Sequence, residues 1–274
     1  MGHSDYPVAV PLVTDVLARS IQTEMNALGR LPKAYPSWFR HSDAGKCGWY
    51  LWFEHHEFEP SNPPDLSSAF VMWLGTMLHK ELQRALPERF PDARIEYKVH
   101  HDDLSSGHCD AVIDLPGQKL VYELKTRGSW GFDKAVGWER KNWKTTIPEG
   151  PSSGDRIQGA LNATAVDADL LVIGLIGMES ASKSFADRNG ISEIGRTAAE
   201  WHYDKAEFSP WAEAELARLE GIRTVLDEGV YLPERSCVGD EMVIEKLNPN
   251  LATPPWQCQY CRHFDNCRKG AAGT

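Results

Sequence analysis

The apolar positions of this chain change period along its length, and those changes divide it into helices and strands. Leu66, Phe70, Trp73, Leu74, Met77, Leu78, Leu82 and Ala85 recur three and four residues apart, the spacing of one helix face. They predict a long helix over about 65–86, entered after the break Ser61-Asn62-Pro63-Pro64, with His79 at the edge of its apolar stripe. Upstream, an amphipathic helix is expected over 12–28, entered at Pro11, where a missing backbone N–H does no harm, and ended by Pro32 and Pro36. A short helix over 44–56 carries Cys47. Three strands follow, over 94–100, 108–114 and 119–126. Between the last two, Leu115-Pro116-Gly117-Gln118 is a turn signal that makes them a hairpin. A polar, Trp-rich segment runs to Gly150, and Ser153 or Asp155 then caps a helix through Gln158 to about 166. The nearly all-apolar run 170–176 is a strand suited to the centre of a covered sheet. The segment 179–195 reads as a loop, 197–203 as an edge strand and 209–226 as a surface helix, with irregular chain from there to the C-terminal cysteines.

The hairpin turn is either two residues, pairing Leu115 with Gln118, or four, pairing Asp114 with Lys119. Both give one register, and it sets Asp110 opposite Glu123. Glu123 and Lys125, two apart on one strand, share a face, while Tyr122 and Leu124 take the other. Two acids side by side repel unless protonated or bridged by a cation, and a neighbouring ammonium can orient a water for attack on phosphorus. Such a site is expected to reach solvent. The plainer alternative is a turn aspartate and a cross-strand salt bridge.

Charge adds a second theme. The formal net charge is -10, which argues against a surface that binds nucleic acid everywhere and says little about one groove. From 119 to 144, however, bases outnumber acids, and Arg127, Arg140, Lys141 and Lys144 alternate with Trp130, Trp138 and Trp143. Cations for phosphates and aromatic faces for unstacked bases make a candidate single-strand track. No run reaches the length of a membrane span, and the first residues lack a basic-then-apolar leader pattern, so a cytosolic protein is expected. In that reducing compartment six cysteines point to metal rather than to disulfides. Cys258, Cys261 and Cys267 lie close in sequence, and Cys47 stands far upstream. Spacing alone leaves zinc and an iron–sulfur cluster both open.

The residues Gly107-His108-Cys109-Asp110 with Glu123-Leu124-Lys125 resemble the signature of the PD-(D/E)XK nuclease superfamily. Gly75-Thr76-Met77-Leu78-His79 is similar to the helical G-x-x-x-H element of its RecB-like branch, and Gln158 to the opening of the Q-x-x-x-Y motif. Position 162 departs from that motif, being Asn instead of Tyr. The resemblance implies a Mg²⁺ or Mn²⁺ held by His79, Asp110, Glu123 and the Leu124 carbonyl, with Lys125 positioning the water and Gln158 holding the lysine or the phosphate. A remote cysteine plus C-x2-C-x5-C further resembles the iron–sulfur exonucleases of this branch, including the CRISPR-adaptation type and phage-borne relatives. It implies a [4Fe-4S] cluster on Cys47, Cys258, Cys261 and Cys267, with Cys237 and Cys109 as rival ligands.

The expected fold is therefore α/β: a three-layer, restriction-endonuclease-like core with a mixed sheet, plus a helical cluster lobe built from both termini. Residues 1–64 and 231–274 would form the lobe and 65–230 the core. The expected function is metal-dependent DNA cleavage, exonucleolytic on single strands or frayed ends. Two rivals stand beside it: a non-catalytic, zinc-stabilised nucleic-acid binding module, and a nuclease subunit active only with recombination or CRISPR-adaptation partners.

Overall fold

The computed structural model describes residues 20, 21, 23, 37–229, 236–238, 244–246 and 256–269. In chain order the elements are β1 (Phe39–Arg40), α1 (Gly48–His55), α2 (Leu66–Arg89), β2 (Arg94–His101), β3 (Ser105–Leu115), β4 (Gln118–Arg127) and α3 (Ser129–Val136). They continue with β5 (Trp138–Glu139), β6 (Lys144–Thr145), α4 (Ser153–Ala165), β7 (Leu170–Gly177), α5 (Lys183–Asn189), β8 (Ala198–Asp204) and α6 (Lys205–Glu228). The last are β9 (Ser236–Val238), β10 (Ile244–Lys246), α7 (Trp256–Gln259) and α8 (Phe264–Lys269). Of the helix expected over 12–28, only Ser20, Ile21 and Thr23 lie within the described residues, and they are helical. No helix among the described residues is long and apolar enough to cross a membrane.

The main sheet is mixed, in the order β1-β3-β4-β7-β8, with β2 on the far side of β3. β3 runs antiparallel to β2 and β4, β4 parallel to β7, and β7 antiparallel to β8. Leu115 pairs with Gln118, so the hairpin turn is the two-residue form, and Gly117 takes the positive φ (77°) that a Pro-Gly turn requires. Period-2 alternation then sorts β4 between two covering helices. Val121, Glu123 and Lys125 face α4, whose Gly159 leaves no room for a Cβ above Leu171. On the opposite face Thr126 abuts Gly75 of α2, where a Cβ would stand 2.9 Å from the threonine oxygen. The mixed sheet with a helix on each face agrees with the layered α/β expectation.

Five details differ from the sequence reading. α4 is capped by Ser152, one residue earlier than expected, in a box whose other member is Asp155. The Trp-rich stretch is not plain loop: α3 buries Phe132 and Ala135, and β5 pairs with β6. Within 179–195, Ser182 caps α5, which buries Phe185 and Ala186. Residues 236–238 and 244–246, expected to be irregular, pair as β9 and β10. Residues 39–41 lie before the boundary drawn at 64, yet β1 joins the main sheet and His41 is fully buried.

Residues 54–62 also meet the C-terminal segment. Asn62 N–H donates to the Arg262 carbonyl at 2.8 Å, and Ser61 Oγ accepts from the backbone N–H groups of Asp265 and Asn266 at 3.1 Å each. The Glu54 carboxylate holds His263 Nε2 at 2.7 Å.

Candidate active site

The candidate site lies where β4 leaves β3. Their ladder ends at Ala111↔Tyr122, and β1 pairs with β3 only at Ser105 and Ser106, so that edge of β3 has no strand partner over 107–110. Asp110 fills this splay. Its Oδ2 accepts the Leu124 N–H at 2.6 Å, and its Oδ1 faces His79 Nδ1 on α2 at 3.0 Å. In an extended strand the N–H and C=O of one residue leave on the same edge, so the Leu124 carbonyl opens toward the splay as well.

Glu123 is 1% exposed. Its Oε2 lies 3.3 Å from Lys125 Nζ, which also donates to Gln158 Oε1 at 3.1 Å. The expectation of a solvent-reaching pair is thus half right: the lysine side chain keeps 14% of its exposure, while the carboxylate is sealed beneath α4. Burial, with the Asp110 charge adding to it, holds the Glu123 carboxyl above the usual carboxylate range although Lys125 opposes the shift. Burial alone would lower the Lys125 pKa, but Glu123, Asp155 and Asp110 outweigh it and keep the ammonium protonated. Burial likewise opposes protonation of His79, and the hydrogen bond and charge of Asp110 reverse the sign, so its pKa is raised.

Three residues at the site escaped the sequence reading. Asn162 donates to Glu123 Oε1 at 2.5 Å, and His41 contacts Asn162 Oδ1 at 2.6 Å. In the sequence, position 162 shows only a departure from a motif, and its place one helical turn beyond Gln158 is the available signal. Glu96 stands on β2 opposite Asp110, between the pairs Ile95↔Ala111 and Tyr97↔Cys109, with a left-handed φ of 48°. Its carboxyl pKa is raised by burial and by Asp110, and Gln83 donates to it at 2.5 Å. Strain of that kind gathers at functional sites, and a lone glutamate in a strand gives no sequence signal of it.

The basic, aromatic stretch divides. Trp130 is 78% exposed, and Trp143 and Lys141 are exposed as well. Trp138, a candidate base-stacking residue, is turned into the core edge-on against Phe132 and Phe185 and is 9% exposed. Arg127 is paired with the buried Asp155, Arg140 with Asp133, and Lys144 with Glu139. Among the cysteines, Cys47 and Phe264 pack against the buried Cys258, Cys261 follows one turn on, and Cys267 N–H bonds the His263 carbonyl. Cys109 is fully buried in the sheet core, and Cys237 lies in β9. Among the described residues no three His, Cys, Asp or Glu side chains converge as metal ligands do: His79 turns to Asp110, and Glu123 to Asn162 and Lys125.

The described chain is similar to the crystal structure of SSO0001, with 16% sequence identity and a TM-score of 0.50 over 92% of this chain and 94% of that one. The two share a fold. A partial overlap joins it to the alkaline exonuclease LHK-Exo from Laribacter hongkongensis, at 13% identity and a TM-score of 0.35 over 58% of this chain and 74% of that one. Another joins it to a phage-related exonuclease from Haemophilus somnus, at 15% identity and a TM-score of 0.36 over 59% and 74%. No family model and no curated protein matches the sequence.

Proposed function

We propose that the protein is a Mg²⁺- or Mn²⁺-dependent deoxyribonuclease of the PD-(D/E)XK type, acting as an exonuclease on single strands or frayed ends. The observation that supports this reading is the splay between β3 and β4, where Asp110 bonds the Leu124 N–H and faces His79, with the Glu123–Lys125 pair on the neighbouring residues of β4. The donor set suits a hard divalent cation: one imidazole, two carboxylates and a peptide oxygen. Glu123, pushed toward protonation by burial and by Asp110, is a carboxylate whose ionised form such a cation would favour. When bound, the ion would neutralise charge on the phosphate oxygens and acidify a water.

The protein's own residues supply the rest. Lys125 stays an ammonium, so it orients the attacking water and offsets developing negative charge without removing a proton. Gln158 anchors the lysine, and Asp110 aims the His79 ring. Trp130, Trp143 and Lys141 form the exposed part of the strand track. The reading further includes a structural [4Fe-4S] cluster on Cys47, Cys258, Cys261 and Cys267. The packing of Cys47 on Cys258 and the hydrogen bonds joining 54–62 to 261–266 support it.

The test is digestion of end-labelled single- and double-stranded DNA by anaerobically purified protein, with and without Mn²⁺. Mn²⁺-dependent shortening of single strands from an end is expected. Absence of any cleavage under both conditions would overturn the proposal.

A further inference from the structure

We infer that His41 and Asn162 form a positioning relay that fixes the Glu123 carboxylate, a role that rests on the nuclease reading above. Asn162 is fully buried on α4, four residues after Gln158 and on the same face. Its Nδ2 donates both to Glu123 Oε1, at 2.5 Å, and to the His108 carbonyl, at 2.9 Å. Two acceptors fix the orientation of the amide, so the oxygen that faces His41 must accept. His41 therefore donates from Nδ1, and the tautomer is set: Nε2 carries the lone pair, buried and without a partner among the described residues.

The surroundings favour that state. Burial holds the His41 pKa down to about 4, which keeps the ring neutral with one proton to give. Gly107 makes the slot for the ring: a Cβ there would stand 2.7 Å from Nδ1. Glu123 is then gripped at both oxygens, by Asn162 on Oε1 and by Lys125 on Oε2. Each oxygen keeps a second lone-pair direction for a cation. Without the Asn162 donor, the soft terminal torsion of the glutamate would let Oε1 rotate away. The asparagine at the place of a motif tyrosine thus acquires a task of its own, supported by a histidine from the turn after β1.

The experiment is calorimetric titration of the full-length protein with Mn²⁺, alongside its long-range ¹H–¹⁵N histidine spectrum. Wild-type protein should show His41 protonated on Nδ1. His41→Leu should weaken Mn²⁺ binding by roughly 10- to 100-fold and lower kcat far more than it raises KM for DNA. His41→Asn, whose amide can donate from nearly the Nδ1 position, should restore affinity to within about threefold of wild type. An Nε2-protonated His41, a His41→Leu protein with wild-type affinity, or a His41→Asn protein as weak as His41→Leu would each overturn the relay. If His41→Leu does not fold, the tautomer and the His41→Asn titration decide. Glu123→Gln separates the two claims: unchanged Mn²⁺ affinity in that variant would overturn the metal reading and the relay with it. Lost affinity there, beside wild-type affinity in His41→Leu, would overturn the relay alone.

Discussion

Asp110 accepts the Leu124 N–H through Oδ2 at 2.6 Å, a side-chain bond standing where the β3–β4 ladder has already ended. The same carboxylate therefore closes the sheet and aims His79. Asp110→Asn retains an acceptor for Leu124, whereas Asp110→Ala leaves that N–H unpaired, at a cost of about 1–3 kcal/mol. Thermal denaturation should rank Asn above Ala in stability. DNA digestion should show both variants reduced on the order of 100-fold or more.

Glu123 and Lys125 call for matched replacements, because truncating one partner strands a buried charge at a cost of about 3–5 kcal/mol. Glu123→Gln and Lys125→Gln should each lower cleavage on the order of 100-fold while the protein stays folded by circular dichroism. A folded variant of either kind with most of its activity would remove that residue from the active site.

In the proposed metal site His79 would be one donor among several. His79→Ala should raise the Mn²⁺ concentration needed for half-maximal cleavage by about tenfold and leave activity at saturating Mn²⁺ closer to wild type. A superimposable Mn²⁺ titration would reduce His79 to a hydrogen-bond partner of Asp110.

His41 makes stability depend on acid. Its pKa is lowered from 6.5 to about 4, so the unfolded chain takes up the proton first as the pH falls. The contribution is complete above pH 6.5 and is lost progressively down to about pH 4, a difference of about 3 kcal/mol. Tm should therefore fall more steeply over that window in wild-type protein than in His41→Asn. Parallel slopes would contradict it.

Anaerobically purified protein should be brown, with iron and acid-labile sulfide. Replacing Cys47, Cys258, Cys261 or Cys267 by Ser should bleach it and lower its solubility, because ligation energy adds to folding. Cys109→Ser and Cys237→Ser should keep the colour. Colourless wild-type protein with stoichiometric zinc would replace the cluster with a zinc site and leave the nuclease question open.

Local signals made the hairpin and its register legible. Pro116-Gly117 dictates a tight turn, and the register it sets runs as far as Ala111↔Tyr122, one step short of Asp110 and Glu123, where the strands splay. The helix carrying His79 was legible because its apolar residues repeat over several turns. His41, Asn162 and Glu96 were not, since their roles come from partners far along the chain: His41 meets Asn162 across 121 positions. α5 could have been found from Ser182 and Gly190 at its two ends, a cap and a left-handed stop that a glycine-containing polar run disguised. Trp138 misled for the opposite reason, since composition cannot tell a stacking tryptophan from a core one.

The bonds from Ser61 and Asn62 to residues 261–266 span about two hundred positions, and they impose an order on biosynthesis. At roughly 5–20 residues per second, the ribosome delivers the second half of this clasp 10–40 seconds after the first. Through that interval the acceptor on Ser61 and the donors on Asn62 are served by water, while the hairpin, α4 and β7 have all emerged. The residues of the sheet can therefore meet before the clasp is able to shut.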